Sequence, residues 1–143
     1  MILSSSYLAL GLVVIAINLA AGVTSVVAWQ RQGISIAFWY LLRTAQVATV
    51  IFVIVECVIY AGGNRAEDGL HYLYVFLPVI ASFLAEGMRG ASASQELGET
   101  DFRSLPEGEQ QKVAMTIVRR ETGVMTVACF VIAFLIWRAI ITI

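Results

Sequence analysis

FWYLLRTAQVATVIFVIVECVIYAGG, residues 38–63, is apolar enough to lie in lipid and yet carries Arg43, Gln46 and Glu56. Its length decides the fold class, because a helix needs about 20 apolar residues to cross a hydrocarbon core about 30 Å thick. The run belongs to a span over 34–62, and three more segments, 6–29, 70–88 and 122–143, have comparable character. Of the 143 residues, 59% are hydrophobic and only 13% charged, against about 25% charged in an average soluble protein. The expected fold is therefore all-α: one integral membrane four-helix domain over 1–143, with 89–121 as the only substantial extramembrane stretch.

The first segment reads as a retained transmembrane helix. MILSSSY has no Lys or Arg, and the apolar run exceeds the roughly 7–15 residues of a signal h-region. A net charge of −1 gives no basic footprint, so nucleic acid is not an expected partner. Cys57 and Cys129 fall within spans and form no CxxC or Cys/His cluster, so no metal site is expected. The motifs G-x-S-x-G, H-E-x-x-H and the Gly-rich phosphate loop are missing as well, and catalysis is not the expectation.

The connections QRQG (30–33) and GGNRAEDG (62–69) are short, which favours an up-down-up-down bundle of antiparallel neighbours. Arg31, Arg89, Arg103, Lys112, Arg119 and Arg120 lie in or beside the first and third loops, whereas only Arg65 and Arg138 lie towards the other face. The positive-inside rule then makes those loops cytoplasmic and the chain N-out and C-out, in what is expected to be a bacterial-type plasma membrane. Trp29, Trp39, Tyr40, Tyr60, Tyr72, Tyr74 and Trp137 sit near span ends, where aromatic belts form.

In the third loop, Gly98 marks the stop of a helix continuing out of span three. SLPE at 104–107 has the spacing of a capping box, opening a helix that runs through KVAMTIVRRETG into span four. A cytoplasmic helical hairpin extending from helices 3 and 4 is the result. Val113, Ala114, Ile117 and Val118 form an apolar stripe opposed by Lys112, Arg119 and Arg120, which suits the membrane surface or packing against the first loop.

At about 1.5 Å per residue, Arg43 and Glu56 are some 20 Å apart on one helix and cannot pair. An unpaired charge in hydrocarbon costs at least about 2.5–3.5 kcal/mol, so each requires its own partner. For Arg43 the candidates at similar depth are Glu86 and Glu121, with Gln46 one turn away. Asn18 needs a cross-helix hydrogen bond for the same reason, and these five residues make the expected intramembrane polar network. Arg43→Ala is then expected to strand a buried carboxylate and lower stability by a few kcal/mol. For Glu56 the partner is His71, with Tyr60, Tyr72 and Tyr74 nearby, so Glu56, His71, Tyr60 and Tyr74 are the candidate ligand or proton site. Ala16, Ala20 and Gly22, with Ala81, Ala85 and Gly87 through Ser94, give small-residue faces for close helix approach. Pro78 is expected to kink span three.

If both polar clusters are interhelical glue, the chain is a small non-catalytic subunit or assembly partner of a larger membrane complex, or a homo-oligomer; this is the expected function. Its partners are then the bilayer and other membrane subunits or itself. Alternatively, Glu, His and Tyr at an apolar boundary can hydrogen-bond a quinone headgroup or relay protons, since His titrates near neutral pH. Haem b is a variant of that alternative. The chain has one histidine, and Met88, Met115 and Met125 are expected at the opposite side, leaving Met1 or His71 of a second copy as the other axial ligand. LHYLY resembles the histidine-bearing helices of haem A synthases, without the partner histidines. A third role is a minimal proton-coupled transporter acting as a dimer through Glu56. In size the chain resembles small multidrug transporters, whose essential acid lies in their first helix; here it lies in span two.

Overall fold

A computed structural model describes residues 2–31 and 33–142, with side chains from Ser5 onwards. Gln32, Met1 and Ile143 lie outside the described residues, and with them the expectation that placed Met1 as an axial ligand. Four helices make up the chain: α1 (Ile2–Gln30), α2 (Ile36–Ala61), α3 (Leu70–Leu97) and α4 (Glu107–Ile141), with a single 3₁₀ turn at Phe102–Ser104. No strand occurs among the described residues.

Each helix buries one stripe at helical spacing. On α1 it is Tyr7, Gly11, Val14, Asn18, Ala21, Gly22 and Ser25. On α2 it is Phe38, Leu42, Ala45, Thr49, Phe52, Val53 and Glu56, and on α4 it runs from Met125 to Ile140. Steps of three and four residues keep these side chains on one face. The remaining faces are apolar too, and only 22–44% of each helix's most apolar window is buried within the chain. In water that much exposed apolar surface would be unstable. All four helices are long and apolar enough to cross a membrane, and the chain is an integral membrane protein on that ground.

Contacts between helices run in opposite directions along the sequence. Gly11 meets Ile140 and Gly22 meets Phe130; Tyr7 meets Phe52; Glu56 meets His71 while Gln46 meets Glu86; Arg120 reaches back to Glu96. Consecutive helices are therefore antiparallel, and α4 also packs along α1. The interior divides into two clusters. One gathers Tyr7, Val14, Phe52, Val75, Ile132 and Ile136, and the other gathers Ala21, Phe38, Leu42, Ala85, Met125 and Cys129.

Helix ends follow local chemistry. Ser35 caps α2, its hydroxyl accepting from the Phe38 N–H at 3.1 Å. α3 continues through Pro78 and stops at Gly98, whose φ of 56° favours a residue without Cβ. The capping box expected at SLPE does not form. Ser104 ends the 3₁₀ turn, its hydroxyl donating to the Asp101 carbonyl, and Glu107 is the first residue of α4. The cause is Pro106: a residue before proline is driven out of the helical region, and Leu105 is extended at φ −76°, ψ 146°. Gln110 takes over the end of the link by donating to the Leu105 carbonyl at 2.7 Å.

The 35 residues of α4 span about 52 Å, well beyond a core about 30 Å thick. Its first turns pair with the last turns of α3 through Arg120 to Gln95 and Glu96. Met115, Val118 and Arg119 also border a groove with Trp29, Gly33 and Ile34 of the first connection, and the Arg119 guanidinium lies 5.9 Å from the Trp29 ring.

Candidate functional site

Two polar clusters sit towards opposite ends of α2, about three to four turns apart. At the Gly62 end, Glu56 and His71 are brought together, with His71 Nε2 3.0 Å from Glu56 Oε1. His71 Nδ1 lies 2.9 Å from the carbonyl oxygen of Ala139. A carbonyl can only accept, so Nδ1 carries a hydrogen. The Nε2 contact is then a hydrogen bond only when one proton lies between nitrogen and carboxylate, as an imidazolium–carboxylate or an imidazole–carboxylic acid pair. In either form the pair is net neutral, the form that burial tolerates best. Burial is nearly complete, with His71 at 2% and Glu56 at 5% exposure.

The aromatic residues expected beside this pair divide. Tyr60 packs edge-on against Tyr72 at 5.3 Å, and Tyr72 packs edge-on against the His71 ring at 5.4 Å. Tyr74 turns elsewhere, with the Arg138 guanidinium 5.3 Å over its ring. The third polar member of the cluster is Tyr7 on α1, which sequence spacing did not single out. Its ring lies 6.2 Å from the His71 ring, and its hydroxyl is buried beside Glu56. The available signal was a polar aromatic at the head of the stripe Tyr7, Gly11, Val14, Asn18, at the same end as Glu56. All four helices thus contribute to one polar centre.

Between α2 and α3 a groove of about 290 Å³ opens on the outer face of the bundle, lined by Glu56, Cys57, Tyr60, Tyr72 and Phe76. Tyr72 Oη accepts from the Ala66 N–H at 2.9 Å, which leaves its own hydrogen free to donate. Arg65 sits over the Tyr60 ring at 5.2 Å and sets a positive charge near the groove.

At the other end, Arg43 Nη1 donates to Glu86 Oε1 at 2.7 Å and to Gln46 Oε1 at 2.6 Å, and Gln46 Nε2 donates to the same Glu86 oxygen at 2.8 Å. Arg89 Nε lies 3.0 Å from Glu86 Oε2, close enough to attract it, although its N–H is not aligned for a hydrogen bond. Glu86 therefore has two cations and an amide. The network is not sealed: the Arg43 side chain is 53% exposed on the exterior of the bundle.

Glu121 is half-buried on α4, and among the described residues no ion pair joins it to Arg43. Asn18 is fully buried, but its amide donates to the Val14 carbonyl of its own helix at 2.9 Å. A short amide one turn above a carbonyl satisfies itself locally. The cross-helix bond in that region comes instead from Ser25 and Thr126, joining α1 to α4. Thr126 already donates to the Thr122 carbonyl, so Ser25 is the donor between them.

His71 Nε2, the nitrogen opposite the carbonyl-bound one and the natural axial ligand for a haem, faces Glu56. Met125 lies in the cluster at the far end. Cys57 is exposed and Cys129 buried, both as free thiols. Among the described residues, no group of three or more His, Cys, Asp or Glu side chains converges to hold a metal ion. No family model matches the chain, and no match was found among curated proteins or among solved structures.

Proposed function

We propose that this chain is a small non-catalytic membrane subunit that docks on another membrane protein or on a second copy of itself. On this reading it sits in a bacterial-type plasma membrane with both termini outside. The first connection and the α3–α4 hairpin then face the cytoplasm, the side on which Arg31, Arg89, Arg103, Lys112, Arg119 and Arg120 cluster.

The observation that carries the reading is the Arg43–Gln46–Glu86 network, which opens outward between α2 and α3 with Arg43 half exposed. Charged groups facing lipid cost at least about 2.5–3.5 kcal/mol, and covering them with a partner's polar groups removes that cost. Ser82 lies in the same groove with its hydroxyl unpartnered. Small residues left exposed on the bundle, Ala16 and Ala20 on α1 and Gly87, Gly90 and Ala91 on α3, allow a neighbouring helix to approach closely.

A photo-crosslinker placed at Phe83, a 75% exposed residue on this face, tests the reading in native membranes. A protein adduct of defined mass is expected, and it should weaken when Arg43→Ala and Glu86→Gln are combined. Adducts to lipid alone would refute it.

A further inference from the structure

The Glu56–His71 centre lies at the other end of the α2–α3 crevice and stands independently of the assembly role. Two observations point to a ligand there. Glu56 is only 5% exposed yet is one of the residues lining an outward groove. Of the roughly four lone-pair positions on a carboxylate, His71 occupies one, which leaves room for a further donor.

The groove defines what that group belongs to. Its walls are three aromatic rings, those of Tyr60, Tyr72 and Phe76, around about 290 Å³. That volume is at the small end of ligand pockets, enough for one substituted ring and not for a large molecule. Because it opens on the apolar exterior of the helices, the ligand arrives from the hydrocarbon. At the base it meets an acceptor, the carboxyl of Glu56, and at the side a free donor, the Tyr72 O–H. A lipophilic cation would suit the carboxylate and the rings, but the Arg65 guanidinium over Tyr60 repels positive charge. A neutral hydroxyl on a planar ring meets every condition.

We propose that the groove binds the headgroup of a membrane-dissolved phenolic amphiphile of the hydroquinone type, its hydroxyl donating to Glu56 and its ring lying among Tyr60, Tyr72 and Phe76. Binding alone is proposed; no electron transfer is involved. His71 on α3, itself bound to the Ala139 carbonyl on α4, holds the carboxyl in place from the interior.

Cys57 provides a probe within the groove itself, since it is exposed there while Cys129 is buried. The full-length protein in lipid nanodiscs is alkylated with N-ethylmaleimide, under argon, with and without a decyl hydroquinone whose ring is fully substituted and cannot add thiols. The hydroquinone should slow Cys57 alkylation by about tenfold or more. The dimethyl ether of the same compound, which keeps ring and tail and loses the donor, should not. Glu56→Gln should abolish protection, and Phe76→Ala, an exposed groove residue outside the buried pair, should weaken it without threatening the fold. Equal protection by the dimethyl ether would show mere apolar filling and overturn the proposal. Equal protection by a decyl quaternary ammonium probe would overturn the choice of a neutral hydroxyl, and no protection of the wild type would overturn the site.

Discussion

His71 is bound through both ring nitrogens, to Ala139 on one side and Glu56 on the other, at 2% exposure. Removing one partner of such a pair costs about 3–5 kcal/mol, because the other is left buried and uncompensated. His71→Ala is therefore expected to lower thermal stability in mild detergent by that order. Arg43→Ala should behave differently from the sequence-based expectation of a few kcal/mol. Arg43 is half exposed, and Glu86 keeps both Arg89 and Gln46 when it is gone. A loss of about 1 kcal/mol or less in detergent is expected, as for exposed ion pairs; a loss as large as that of His71→Ala would contradict the observed network.

Close approach between helices depends on where glycine meets a neighbour, and this differs sharply along the chain. A Cβ on Gly11 would lie 2.5 Å from Ile140 Cδ1 and 3.3 Å from Phe52, whereas one on Gly87 would meet nothing within 4 Å. Gly11→Leu is expected to cost about 1–3 kcal/mol or more through overpacking, while Gly87→Ala should be neutral or stabilising by up to about 1 kcal/mol. Thermal unfolding of the two variants side by side separates them. Much at this scale was legible beforehand. Long apolar runs gave the four helices, the short connections suited antiparallel neighbours, and Gly98 stands where α3 ends. The pairing of Glu56 with His71 followed from depth along the helices, and depth made Glu86 one of two candidates for Arg43, the other being Glu121. What escaped depended on rotation about the helix axis, which residue spacing leaves open. Asn18 turned to its own helix, Tyr7 entered the polar centre, Tyr74 left it, and Ala16 and Ala20 faced outward while Gly11 took the close contact. The capping box failed for a local reason, because proline constrained the residue before it more strongly than Ser104 could cap.

Across the whole molecule, two outward-facing polar features share the α2–α3 crevice, a charged network at one end and the Glu56 groove at the other. Most of the remaining exposed surface of the spans is apolar, as lipid requires. The proposed orientation makes Arg103, exposed in the link between α3 and α4, a cytoplasmic protease target. Trypsin should cleave there in inverted membrane vesicles and leave it intact in sealed right-side-out vesicles; the reverse pattern would invert the topology. Assembly itself is tested most directly by the mass of the particle extracted in a native lipid disc by an amphipathic polymer and measured by native mass spectrometry. A discrete species heavier than one chain plus lipid, reduced when Arg43→Ala and Glu86→Gln are combined, is the predicted result. A uniform population containing one copy of this chain and no other protein would contradict its role as a subunit.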